Sequence, residues 1–458
     1  MFQKIIKLLL FTAIVSLIAG CLLESTSSSE NNPTTTAPQQ VSTSLIATST
    51  SPISSPEVLD QLNPTKTPLP VISVSNSPTP TTSPVPTIIP TAQVNNNCEF
   101  SPFELVDDPT SANGLVLYDT IGEELGINVL SGTNFDAPLL FMSDNDPARK
   151  IGLPAISPDN KWLAYSTYQA NGNFVSLEIT VINSQGDIEA RGSFSDPSLL
   201  PLVIWSNPST LIIPLGNQSE VFEWLLWEPF TDKEERLQIP MSGIGNAIEN
   251  FNVIPAIDPT LSFVIYPCDR NACGEAEYLV KNLQTGEIEW SVDLSPNPPN
   301  YRGQPLWSPN GEYLAIFGGY DVILNRLWIL DRQGNLIFQI ALPDTGGTVA
   351  AIQLTWAPNS ENLSFLRRFK NPIEGPLYIE RISYINVREG IINEFCIDTE
   401  AGTSSFVWSP DSTKLALSQQ LERIENSPHL ITIVNLFSTN ITQLYDSDQH
   451  ILVGWLKP

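Results

Sequence analysis

Apolar residues in this chain come in short runs, and the runs recur in a fixed order. Phe406-Val407-Trp408 is followed by polar Ser409 to Thr413, then by Leu415-Ala416-Leu417, then by a longer apolar run from Leu430 to Leu436. Runs this short, rich in β-branched and aromatic residues, predict strands. The longer run predicts a third strand in each group, over Leu177 to Ile182, Phe222 to Trp227, Glu277 to Asn282, Arg326 to Leu330, Tyr378 to Ile385 and Leu430 to Leu436. Gly-bearing segments such as Ser184-Gln185-Gly186-Asp187 and Arg332-Gln333-Gly334-Asn335 then predict a hairpin into a fourth strand. No long stretch beyond the first 20 residues carries helical periodicity.

The polar segment between the first two strands is a repeated phrase. It reads Ile156-Ser157-Pro158-Asp159, Trp205-Ser206-Asn207-Pro208, Ile257-Asp258-Pro259, Trp307-Ser308-Pro309-Asn310, Trp356-Ala357-Pro358-Asn359 and Trp408-Ser409-Pro410-Asp411, with a truncated Trp455-Leu456-Lys457-Pro458 at the end. The anchors step by 49, 52, 50, 49, 52 and 47 residues. Proline fixes its own φ and lacks a donor, and Asp, Asn and Gly suit turns, so the phrase is a turn between strands. A fixed period marks a repeat architecture. The fuller copies, such as Trp307-Ser308-Pro309-Asn310-Gly311-Glu312-Tyr313-Leu314-Ala315-Ile316, resemble the WD40-like (PD40) repeats of the TolB type. That resemblance covers the chain after about residue 98 and implies an all-β propeller with four strands per blade.

Six units begin near residues 152, 203, 253, 304, 353 and 405. Three strand candidates precede them, Gly114 to Tyr118, Ile127 to Leu130 and Pro138 to Met142, with no phrase strand of their own. Ile451 to Trp455 supplies one and nothing after it. The expectation is a seven-bladed β-propeller whose last blade takes its inner strand from the C-terminus and its outer three from the N-terminus, with six or eight blades as alternatives.

The front of the chain differs. Lys4 and Lys7 precede an apolar run from Leu8 to Ala19, and Ile18-Ala19-Gly20-Cys21 resembles the bacterial lipobox. Residues 1–20 are expected to be a lipoprotein signal peptide, with Cys21 acylated and anchored in the bilayer. Residues 21–97, dominated by Ser, Thr, Pro, Asn and Gln, predict a disordered tether spanning roughly 50 Å root mean square. Residues 98–458 form the propeller. The expected location is the cell membrane or outer membrane, facing the extracytoplasmic side.

The net charge is −27, and residues 1–97 carry three Lys and four Asp or Glu, so nearly all the excess lies in the propeller. That argues against nucleic acid as a partner. Besides Cys21 there are Cys98, Cys268, Cys273 and Cys396. An even number in an exported domain predicts two disulfides: Cys268 with Cys273 across a short loop, and Cys98 with Cys396.

Chemistry is sparse. His429 and His450, the chain's two histidines, sit in no nucleophile or zinc motif, and there is no P-loop, Rossmann fingerprint or G-x-S-x-G. Nothing follows Pro458 in the sequence, so the hydrolase domain that accompanies such propellers in serine oligopeptidases is not expected. No cofactor is expected; calcium is considered at Asp144-Asn145-Asp146 and Asp107-Asp108, whose spacing lacks the EF-hand pattern. The second-to-third-strand loops and the inter-blade loops share one face. Tyr301, Arg302, Tyr320, Arg367, Arg368 and Lys370 fall there, a basic and aromatic group on an acidic domain. Alternating Phe222, Trp224 and Leu226 form either a sugar platform or, preferably, core packing. The expected function is a monomeric, non-catalytic lipoprotein binding an envelope protein or glycan. The alternative is a propeller enzyme of the calcium-dependent lactonase or polysaccharide lyase type.

Overall fold

A computed structural model describes residues 93–95, 104–106, 108–118, 126–130, 139–143, 150–171, 174–196, 202–218, 221–240, 255–268, 273, 276–292, 301–319, 326–341, 350–370, 378–399, 403–420, 428–438, 440–446 and 450–457. The expected signal peptide, Cys21 and most of the expected tether lie outside them.

The described strands form seven antiparallel blades. Blade 1 takes its inner strand from Lys150–Ile151 and Ala155–Ile156, followed by Leu163–Asn171, Phe174–Ile182 and Ile188–Asp196. Blade 2 is Ile204–Asn207, Thr210–Gln218, Val221–Glu228 and Lys233–Pro240; blade 3 is Ala256–Ile257, Phe263–Pro267, Tyr278–Asn282 and Ile288–Val292. In blade 4, Tyr301–Arg302 and Leu306–Trp307 both pair with Tyr313–Gly319, and Arg326–Asp331 and Leu336–Ala341 follow. Blade 5 is Ala350–Trp356, Asn362–Lys370, Tyr378–Asn386 and Ile391–Thr399; blade 6 is Thr403–Trp408, Lys414–Gln420, His429–Asn435 and Asn440–Asp446. Blade 7 joins Ile451–Trp455 to Leu115–Tyr118, Gly126–Val129 and Leu139–Ser143. The expected closure is therefore the observed one, and the six-bladed and eight-bladed alternatives fall.

The repeated phrase works as a turn lock. In blades 1, 4 and 6 the Ser hydroxyl accepts from the amide five residues on, Trp162 (3.0 Å), Tyr313 (2.9 Å) and Lys414 (2.8 Å). The same hydroxyl donates to the Asp or Asn two residues on, at 2.6–2.7 Å. The fourth turn residue is left-handed, with φ of 61° at Asn160, 57° at Leu261, 70° at Gly311, 61° at Ser360 and 59° at Ser412. That is why Gly or Asn suits the position.

The phrase tryptophan links blades. Its indole N–H donates to a carbonyl on the inner strand of the preceding blade: Trp205 to Ala155 (3.0 Å), Trp307 to Ala256 (3.4 Å), Trp356 to Leu306 (3.1 Å) and Trp408 to Thr355 (3.3 Å). Apolar residues fill every junction between neighbouring blades. Blade 7 is packed on both sides: Leu115, Leu117 and Trp455 against Ile431 and Ile433 of blade 6, and Val116, Ile127 and Val129 against Leu163 and Tyr165 of blade 1. Trp224 and Phe222 are buried between blades 2 and 3, so they serve the core and form no sugar platform.

Two short strands were not expected. Gln93–Asn95 adds in parallel to the outer strand of blade 5, pairing with Ile391 to Asn393. Glu104–Leu105 adds in parallel to the outer strand of blade 6, pairing with Asn440 and Ile441. Residues 93–95 belong to the segment expected as tether. Strands of two or three residues held by main-chain bonds leave no side-chain alternation to read.

Candidate binding face

Strand direction sorts the loops. The inner strand starts at one face, the second strand returns to it, and the third starts there again. The phrase turns and the third-to-fourth-strand hairpins therefore occupy the opposite, lower face. The most conspicuous motif of the sequence builds the fold and lies away from the upper face.

On the upper face, Tyr301 and Arg302 pair with Gly319 and Gly318, and Gly318 pairs in turn with Arg326. One ladder row across blade 4 thus holds Arg302, Gly318 and Arg326. In blade 5, Arg367 pairs with Ala351 and Arg381, Arg368 with Ala350 and Glu380, and Lys370 with Tyr378. The two blades are neighbours that share one apolar junction, with Phe317 of blade 4 edge-on to Phe365 of blade 5, ring centroids 6.1 Å apart. The sequence-predicted group is brought onto adjacent blade ends, apart from Tyr320, which lies outside the described residues. Arg326 and Arg381 were missed, because only strand register puts them in the same rows.

The upper face of the closing junction holds both histidines. Ser418 Oγ lies 2.8 Å from His429 Nδ1 and donates to the His450 carbonyl at 3.3 Å. His450 Nε2 lies 3.2 Å from Asn128 Nδ2. The two rings are each 7% exposed and Ser418 is fully buried. These contacts tie blade 6 to the C-terminal strand and the third strand of blade 7, a seam no local motif signals.

Cys268 and Cys273 form a disulfide with Cα atoms 6.2 Å apart, closing the loop ahead of the third strand of blade 3. Cys98 lies outside the described residues, and Cys396 lies in the outer strand of blade 5. Between blades 1 and 2 a cleft of about 320 Å³ is lined by Phe194, Asp196, Glu234, Glu235 and Arg236, with Arg236 paired to Asp196 at 2.9 Å. Asp107 and Asp144 to Asp146 lie outside the described residues. Among the described residues there is no group of three or more His, Cys, Asp or Glu fit to hold a metal, and no helix long and apolar enough to cross a membrane.

No family model matches the chain, and no curated protein matches it. The TolB-type resemblance therefore rests on the repeat phrase alone. Among solved structures, the chain is similar to an oligogalacturonate lyase in complex with manganese (11% identity, TM-score 0.45, covering 72% of this chain and 85% of that one). It is also similar to an oligogalacturonate lyase from Vibrio parahaemolyticus (12% identity, TM-score 0.47, 73% and 87%). A third is a dihydro-heme d1 dehydrogenase in complex with DHE (13% identity, TM-score 0.43, 79% and 78%). Likeness at this level shows the fold alone. The expectation of a non-catalytic protein is not borne out: two of these solved propellers are described as lyases.

Proposed function

We propose that this chain is an extracytoplasmic lipoprotein that holds its propeller off a membrane and engages a protein or glycan of the cell envelope through the upper face of blades 4 and 5. In this reading residues 1–20 are removed, Cys21 carries the lipid, and the Ser/Thr/Pro-rich segment after it is the spacer. The observation that carries the binding part is the gathering of Arg302, Arg326, Arg367 and Arg381 at adjacent blade ends of a domain whose charge is otherwise strongly negative. Arginine beside aromatic residues is a common composition for interface anchors.

The anchor and the face are tested separately. Fractionation of cells making the full chain should find it with membranes, and Cys21→Ser should move it to the soluble fraction. A Cys21→Ser chain that stays with membranes overturns the anchor. Crosslinking on intact cells should give an adduct that is lost when Arg302, Arg367 and Arg368 are replaced by Ala. An adduct of unchanged yield in that variant overturns the face.

A further inference from the structure

The cleft between blades 1 and 2 runs along an open strand edge. Its wall includes four successive residues, Ser193 to Asp196, of the outer strand of blade 1, and among the described residues no strand pairs beyond that one. The outer strands of blades 5 and 6 each accept a further strand, Gln93–Asn95 and Glu104–Leu105, so this fold takes an added strand at that position in a blade. Charged residues guard an edge against such addition, as Lys233-Glu234-Glu235-Arg236 do on blade 2. Ser193, Phe194 and Ser195 carry no charge. The cleft beside them, about 320 Å³, has a floor of buried Phe194, Leu215 and Leu225. Its polar side is short of cations. Arg236 and Glu234 pair with Leu225 and Trp227, both in the junction with blade 1. Arg236 reaches Asp196 at 2.9 Å and Glu223 at 4.0 Å, and those two carboxylate side chains are only 15% and 12% exposed. Glu234 makes no ion pair among the described residues, so one guanidinium stands among three carboxylates.

We propose that an extended segment of a partner protein adds as a strand to the outer edge of blade 1 and sends a Lys or Arg side chain into this cleft. The site is separate from the upper face of blades 4 and 5 and goes beyond the reading given above. Main-chain hydrogen bonds to a sheet edge supply affinity, and a pocket beside the edge selects one side chain of the added strand. Side chains alternate along a strand, so every second residue of the segment faces the cleft. The apolar floor suits the alkyl stem of a Lys or Arg side chain, whose charged head meets the carboxylates. An acidic side chain would bring a fourth carboxylate to the three already there, where like charges repel. A free amine would meet the carboxylates but leave the strand edge unpaired.

The test is fluorescence anisotropy of the detergent-solubilised full chain with labelled peptides of alternating Thr and Val. One peptide carries Lys at its centre, one carries Glu there, and one keeps the Lys but has Pro on either side, which removes main-chain donors. The Lys peptide should bind, and the other two should bind at least roughly tenfold more weakly. Its binding should slow amide exchange at Ser193 to Asp196. Glu234 is exposed, so Glu234→Lys should leave the melting temperature unchanged. That variant should bind the Lys peptide roughly tenfold more weakly and come to prefer the Glu peptide. No binding of the Lys peptide, equal binding of the Glu or Pro peptide, unslowed exchange at Ser193 to Asp196, or no effect of Glu234→Lys overturns the proposal. Equally tight binding of acetyl-lysine amide overturns it in favour of a free cation.

Discussion

Arg332, in the third-to-fourth-strand hairpin of blade 4, reaches into blade 3 and pairs with the fully buried Asp258 at 2.9 Å. Asp258 stands where the other five full phrases carry Ser or Ala. Its carboxylate accepts from the amides of Ser262 and Phe263 and from the Thr260 hydroxyl. Arg332 also donates to the Gly311 carbonyl at 2.7 Å and lies 4.7 Å above the Phe263 ring. One guanidinium therefore joins two blades and neutralises a buried charge. Arg332→Gln should lower stability by about 3 kcal/mol or more, since it leaves a buried carboxylate without its cation. Asp258→Ser should recover most of that loss in the Arg332→Gln background. Denaturant unfolding of the double-mutant cycle checks this, and additive losses would refute the coupling.

The tryptophan links are a second source of ring stability. Trp356→Phe keeps a ring in the junction of blades 4 and 5 but removes the donor to the Leu306 carbonyl. The expected loss is about 1–3 kcal/mol, from one hydrogen bond and an under-satisfied acceptor. Blade 3 carries Ile257 at the equivalent position and has no such donor, so Ile257→Val should cost only about 1 kcal/mol. Urea unfolding of both variants compares the two positions.

Closure depends on close backbone approach. Gly114 has φ of 82°, donates to the Leu130 carbonyl, and accepts from the Leu456 amide at 2.8 Å. A Cβ on Gly114 would collide with the Leu456 carbonyl oxygen. Gly114→Ala should therefore lower the melting temperature markedly, and deletion of residues 451–458 should unfold or aggregate the ring. A truncated chain with unchanged thermal stability would refute the closure.

The repeat phrase made the ring legible, because most copies keep a Trp or Ile anchor and a Pro-bearing turn for reasons local to one junction. It also made Ile451 to Trp455 readable as a strand lacking three partners. Register was not legible. Arg326 and Arg381 are ordinary strand residues until pairing sets them beside Arg302 and Arg367. The histidine seam stayed hidden for the same reason: Asn128 and His450 meet only because the chain closes on itself.

Acid should weaken blade 6 through Asp411. Burial alone would raise its pKa, but hydrogen bonds from the Ser409 and Thr413 hydroxyls and the Thr413 amide, with the Lys414 charge, hold it below the usual carboxylate range. A carboxyl whose pKa is depressed on folding contributes stability that is present above its unfolded pKa. That contribution is lost as pH falls through the folded value. Asp411→Asn should therefore flatten the decline of melting temperature below about pH 4, relative to the unsubstituted chain. Parallel curves for the two proteins would remove Asp411 from the acid response.

Gln93, Val94 and Asn95 run parallel to Ile391, Ile392 and Asn393 with a constant offset. Cys98 and Cys396 each stand three residues further along their own segments. Cys98 lies outside the described residues, and its pairing with Cys396 stays what the even number of cysteines predicts. Non-reducing peptide mapping should yield one cross-linked pair from Cys98 and Cys396 beside the short Cys268–Cys273 loop. Such a bond would fasten the incoming segment to blade 5 and shorten the unfolded chain's loop of about 300 residues, a stabilisation of about 2–5 kcal/mol. Cys98→Ser together with Cys396→Ser should lower the melting temperature by that measure and free residues 93–95 to exchange their amide protons. Free thiols at both positions in the purified protein would overturn the pairing.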